Sequence, residues 1–128
     1  MLRHVTLLVD GYDAGLRFFV DGLGWSCLGD IDQGRKRWVT VAPPGGPGTS
    51  LVLALPTTDA QQAALGAQTG DRVGFFLETP DFDRDAARIV AAGGTFLERP
   101  RAEPYGRVAQ WRDPWGNIWD LLGPPPQP

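Results

Sequence analysis

The chain has 128 residues, 42% hydrophobic and 21% charged, with a formal net charge of −3. This suits one compact domain or two small half-domains sharing a core, and the mild acidity with no basic run argues against a nucleic-acid partner. No stretch is long and apolar enough to span a membrane, no N-terminal signal core is visible, and the single Cys27 excludes an intrachain disulfide, so a cytoplasmic location is expected.

In chain order, residues 4–10 read as a strand, and residues 13–21 read as a helix with Leu16, Phe19 and Val20 on one face. Gly22-Leu23-Gly24-Trp25 is a turn. Cys27 lies in a strand with no CxxC or Cys/His pattern, which favours inert packing. Arg35-Lys36-Arg37 reads as a solvated hairpin tip. Pro43-Pro44-Gly45-Gly46-Pro47-Gly48 can be neither helix nor central strand, and it lacks the Lys-Ser/Thr of a phosphate loop. A strand follows over 50–55, and residues 57–71 form a polar, weakly helical linker. A second strand–helix pair then covers 72–78 and 83–92, with Asp83 as the expected N-cap and Gly93 as the stop.

The segment from Tyr105 to Leu121 is strand, tight turn, strand. Its turn, Asp113-Pro114-Trp115-Gly116-Asn117, is dense in residues that fix or permit turn geometry. Asp120 interrupts the apolar closing strand. A lone buried acid is expensive, so Asp120 must face water, a partner or a metal.

The two halves repeat at an offset of about 68–70 residues: His4 matches Arg72, Asp13 matches Asp83, Arg37 matches Arg107 and Val52 matches Asp120. The repeated unit is βαβββ, and a half of this size buries little alone. The expected boundaries are 1–56 for the first module, 57–71 for the linker, 72–123 for the second module and 124–128 for a Pro-rich tail. Val5, Leu7, Phe75 or Phe76, Ile89 and Trp119 are the expected interior.

A duplicated βαβββ unit with Asp113-Pro114-Trp115-Gly116-Asn117-Ile118-Trp119-Asp120 resembles the vicinal oxygen chelate superfamily, which includes glyoxalase I, extradiol dioxygenases and bleomycin-resistance proteins. The resemblance runs from about Leu2 to Leu122. It implies an α+β fold in which two βαβββ repeats form curved mixed sheets around a cavity, and a homodimer. In metal-using members, each unit supplies a ligand from its first strand and another from its last. Those positions here are His4, Val52, Arg72 and Asp120. His4 and Asp120 have donor atoms, Val52 has none, and Arg72 would repel a cation. No cofactor is therefore expected, although the resemblance keeps a divalent metal open, with His4 and Asp120 as residual candidates.

Each candidate has a plain alternative. His4, the only histidine, is a general base or ligand donor, or else a strand-start side chain of no special role. Asp120 orients His4, pairs with Arg72 or holds a ligand, or else is one half of a structural ion pair. Arg72 clamps an anionic group or is a solvated strand start. Trp38 and Trp111 would line the cavity as flat aromatic walls, or else pack in the core. Tyr105 joins Arg72, Trp38 and Trp111 in the expected ligand-binding set. The function expected is small-molecule binding in an aromatic-lined cavity without a complete metal site. The alternative is a divalent-metal-dependent lyase or dioxygenase, or a metal-free isomerase-type catalyst using His4 and Asp120.

Overall fold

The computed structural model describes residues 1–125, so Pro126, Gln127 and Pro128 of the expected tail lie outside the described residues. The chain divides into two compact units, Met1–Leu65 and the remainder from Gly66. The division falls inside the 57–71 segment, whose α2 (Asp59–Ala64) belongs to the first unit. Thr58 caps α2 by accepting the Gln61 N–H at 3.1 Å.

In the first unit, β1 (His4–Leu8) leads into α1 (Tyr12–Leu16), which continues as a π-helical stretch over Arg17–Gly22. The Leu23 N–H closes that stretch on the Phe18 carbonyl at 3.0 Å, an i→i−5 bond. Three strands follow: β2 (Ser26–Asp32), β3 (Arg37–Ala42) and β4 (Ser50–Ala54). The sheet order is β1-β4-β3-β2, with β1 and β4 parallel and the other pairs antiparallel. A return to the first strand's side after the helix is what the βαβββ pattern predicts.

The second unit repeats this with β5 (Val73–Glu78), α3 (Phe82–Ala92), β6 (Thr95–Phe96), β7 (Arg101–Glu103), β8 (Gly106–Arg112) and β9 (Ile118–Gly123). Its order is β5-β9-β8-β6, β7 also pairs with β8, and β5 and β9 are parallel. The second strand of the repeat is thus split in two. Glu98 fills the gap: its carboxylate accepts the Gln110 N–H at 2.9 Å. The helix cap falls two residues before Asp83, where the Asp81 side chain accepts the Arg84 N–H. Gly93 ends α3 in the left-handed region at φ 112°, where a Cβ is unfavourable.

Strand alternation gives each sheet a helix-facing side and an open side. In the first unit Leu7, Val9, Val39, Val41 and Leu53 are buried, and bare Gly15 lets α1 approach Leu53 and Val9. In the second, Ile89, Trp111, Trp119 and Leu121 are buried, with Trp111 stacked on Trp119 at 4.9 Å and Phe75 stacked on Trp119 at 4.7 Å. Leu7, Ile89 and Trp119 are core as expected, and Phe75 rather than Phe76 faces inward. Val5 is only half-buried.

The repeat also carries a matched clamp. Arg37 bonds Asp13 at 2.9 Å and lies over the Tyr12 ring, while Arg107 bonds Asp83 at 3.0 Å and lies over the Phe82 ring. Each ties the third strand of its unit to the start of its helix. The 70-residue spacing of these arginines and aspartates therefore marks a structural contact.

Candidate functional site

The DPWGN turn explains itself through Asp113. This carboxylate is 3% exposed and has a donor on every side. Its Oδ1 accepts the backbone N–H groups of Trp115, Gly116 and Asn117 at 2.9–3.0 Å. Its Oδ2 accepts Asn117 Nδ2 and Trp119 Nε1, each at 3.0 Å. The motif is thus a fully bonded hinge that fixes where β9 begins and which face each of its residues takes.

That register puts Asp120 on the open face. Phe76 of β5 and Gln110 of β8 are its cross-strand neighbours. The matching row in the first unit is Thr6, Val52 and Thr40. Asp120 Oδ1 is buried and has no hydrogen-bond partner among the described residues. Burial lifts its carboxyl above the ordinary range; nearby Arg101 opposes this and Glu98 adds to it. Arg101 is already held by Glu98 and Glu103, each at 2.6 Å. Those bonds keep Glu98 below the ordinary carboxylate range, with burial working against them and the Gln110 N–H in their favour.

Arg72 does not stand where the sequence offset put it. It is exposed and precedes β5, in a turn where its N–H and C=O both bond Thr69. The reason is a register shift between Val73 and Phe75, where Gly74 packs against Thr69. The open-face rows therefore match Thr6 with Phe76, and His4 falls opposite Gly74 in the repeat. Among the described residues no ion pair joins Arg72 to Asp120.

Trp111 also differs from expectation. It is the cross-strand partner of Trp119, shares its face and is fully buried, so it is a core wall and not part of an open surface. Tyr105 lies 66% exposed in the turn between β7 and β8. Trp38 does share the open side of its sheet with His4, and the two rings meet edge to face at 5.5 Å. His4 Nδ1 is 2.7 Å from Ser50 Oγ. Cys27 is exposed, not packed in a strand interior. Sequence reading missed Ser50, Phe76, Gln110, Glu98 and Arg101. Phe76 was within reach: the pair Phe75-Phe76 must split between faces, and the bulge at Gly74 decides which one opens.

The open rows do not suit a divalent metal. Thr6 and Thr40 offer only hydroxyls, Val52 offers no donor, and the second row offers one carboxylate beside a phenyl ring. Among the described residues no three His, Cys, Asp or Glu side chains gather as a ligand set.

Residues 1–121 match the Glyoxalase/Bleomycin resistance protein/Dioxygenase superfamily. The chain belongs to this superfamily. An uncharacterized protein of Shewanella frigidimarina (strain NCIMB 400) is 42% identical over 121 residues, covering 93% of this chain and 90% of its own. TnmS3, an antibiotic binding protein from Streptomyces sp. CB03234, is 31% identical with a TM-score of 0.75, over 97% of this chain and 95% of its own. UcmS2 is 28% identical with a TM-score of 0.79, over 95% and 96%. Superfamily membership accords with the two sheets of duplicated βαβββ topology.

Proposed function

We propose that the protein binds a small organic molecule on the open faces of its sheets and needs no divalent metal to do so. One observation carries this reading: the central open-face rows, Thr6–Val52–Thr40 and Phe76–Asp120–Gln110, contain a single ionisable group between them. Such rows set the apolar Val52 and Phe76 among hydroxyl, amide and carboxyl groups that can orient a ligand. The likeness to TnmS3, an antibiotic binding protein, supports the same class. Trp38 and His4 would contribute from the first sheet, with Arg72 and Tyr105 as exposed outlying contacts.

The proposal includes a homodimer in the cytoplasm. Strand β2 is an edge strand with Leu28 and Ile31 61% and 57% exposed, a surface that self-association would cover. Free Cys27 suits a reducing compartment. No helix among the described residues is long and apolar enough to cross a membrane.

Native mass spectrometry of protein from its own source tests all of this together. The expected result is a dimer mass with a retained organic molecule and no stoichiometric metal. Submicromolar binding of zinc, nickel, manganese or iron(II) by calorimetry, abolished by His4→Ala or Asp120→Asn, would replace this reading with the metal-dependent lyase or dioxygenase.

A further inference from the structure

We propose that Asp120 anchors an ammonium subsite on the open face of the second sheet, so that the ligand carries a protonated amine on an apolar body. The inference rests on the small-molecule reading and adds the chemical class of the ligand.

Three observations converge. First, Asp120 Oδ1 is shut off from water and has no donor among the described residues, although a carboxylate oxygen ordinarily accepts one or more bonds. The carboxylate charge is shared over both oxygens, so a cation arriving at the open face stabilises the group although Oδ1 stays enclosed. Contrast Asp113, whose two oxygens take five bonds within the fold. The protein thus satisfies one acid of the motif and leaves the other for something outside it.

Second, among the described residues no cation forms an ion pair with Asp120. Arg101 is the cation that bears on Asp120, and its guanidinium is engaged by Glu98 and Glu103. Glu78 adds a further exposed acid to the same face, two residues from Phe76 on β5, and Arg112 lies on that face one row beyond Gln110. Arg101 and Glu98 are the charges that bear on Asp120, Arg101 the more strongly, so the attraction for a positive guest comes from the Asp120 carboxylate itself.

Third, Phe76 is the direct neighbour of Asp120 and is 64% exposed. A carboxylate beside an uncovered aromatic face is suited to an alkylammonium, through a charge-assisted hydrogen bond and attraction of the cation to the ring. The same ring receives the apolar body. A metal ion would gain little from the phenyl group, and an anionic ligand would meet repulsion.

The test uses the full chain and a matched pair of probes, 2-(2-naphthyl)ethylammonium and its uncharged N-acetyl derivative, titrated while backbone amides are followed by NMR. The ammonium compound is expected to shift the amides of Phe76, Gln110 and Asp120. It should bind about ten-fold more tightly than the acetylated one. Asp120→Asn, which keeps shape and removes charge, should erase that preference while retaining native dispersion of the spectrum. Equal binding of both probes to the wild type, or a preference that survives in Asp120→Asn, overturns the ammonium subsite but leaves small-molecule binding standing. Failure of both probes to perturb either open face overturns the two together.

Discussion

Asp113 and Asp120 are seven residues apart in one motif, and the fold treats them in opposite ways. Asp113 sits at 3% exposure with five donors pointing at it. Asp120 has a buried oxygen with no partner among the described residues, and burial pushes its pKa up. The first acid is structural because its charge is spread over backbone and side-chain N–H groups at a turn. The second is a cost to the fold that Arg101, already held by Glu98 and Glu103, offsets only in part. Two identical residue types in one signature therefore carry different work, and substitution at each should separate them.

The largest effect is expected at Asp113. Asp113→Ala removes the side-chain acceptor of five hydrogen bonds in a buried turn, though the Gly116 N–H keeps the Asp113 backbone carbonyl at 3.1 Å. Each orphaned donor costs about 1–3 kcal/mol before relaxation, so a total loss of at least about 3 kcal/mol is expected in urea unfolding. Asp113→Asn sharpens the point. It can keep the Oδ1 bonds but sets an NH2 group against the donors Asn117 Nδ2 and Trp119 Nε1. It should destabilise by an intermediate amount. A loss below about 1 kcal/mol for Asp113→Ala would show that the turn holds without its acid.

A smaller loss is expected where the second unit's first residues meet the same turn. Gly66 has φ +74°, and a Cβ there would stand 1.9 Å from the Trp115 carbonyl oxygen. Gly66→Ala therefore adds a backbone clash to left-handed strain, with a cost of about 2 kcal/mol. Combining it with Asp113→Ala should cost less than the two separately, because both loosen the Trp115 backbone. Additive losses in thermal melts would mean that the turn and the Gly66 contact are independent.

The contrast between the two acids also explains what the sequence disclosed. The duplicated sheets were legible because offset, helix faces and turn chemistry agree across levels. The face opposite Asp120 was legible as well, since alternation forces Trp119 inward. The Arg72 contact was not, because a single-residue bulge at Gly74 changes the partner of every residue before it, and a bulge leaves only a glycine as its trace. Trp111 was misplaced for a related reason: its face depends on pairing with Trp119 across a turn whose length sets the register. The split between β6 and β7 hid Glu98 and Arg101, which lie at the gap, so the electrostatic surroundings of Asp120 could not be read in advance.

The smallest effect has the opposite sign. Asp120→Asn removes a charge whose burial no hydrogen bond repays, so it should stabilise the protein by up to about 1 kcal/mol at neutral pH. The pH dependence follows from linkage. The folded-state pKa of Asp120 lies above its ordinary 3.8, so the native state binds the proton more readily than the unfolded chain. Stability therefore falls as pH rises from the ordinary value through the raised one, and the penalty is complete above it. The advantage of asparagine should be greatest at neutral pH and should disappear below the ordinary carboxyl range, where both states of the wild type are protonated. Difference melts of wild type and Asp120→Asn across this range check it. A constant difference at all pH values would mean that the substitution acts through packing, and a loss of stability at neutral pH would mean that Asp120 has a native partner that satisfies its charge.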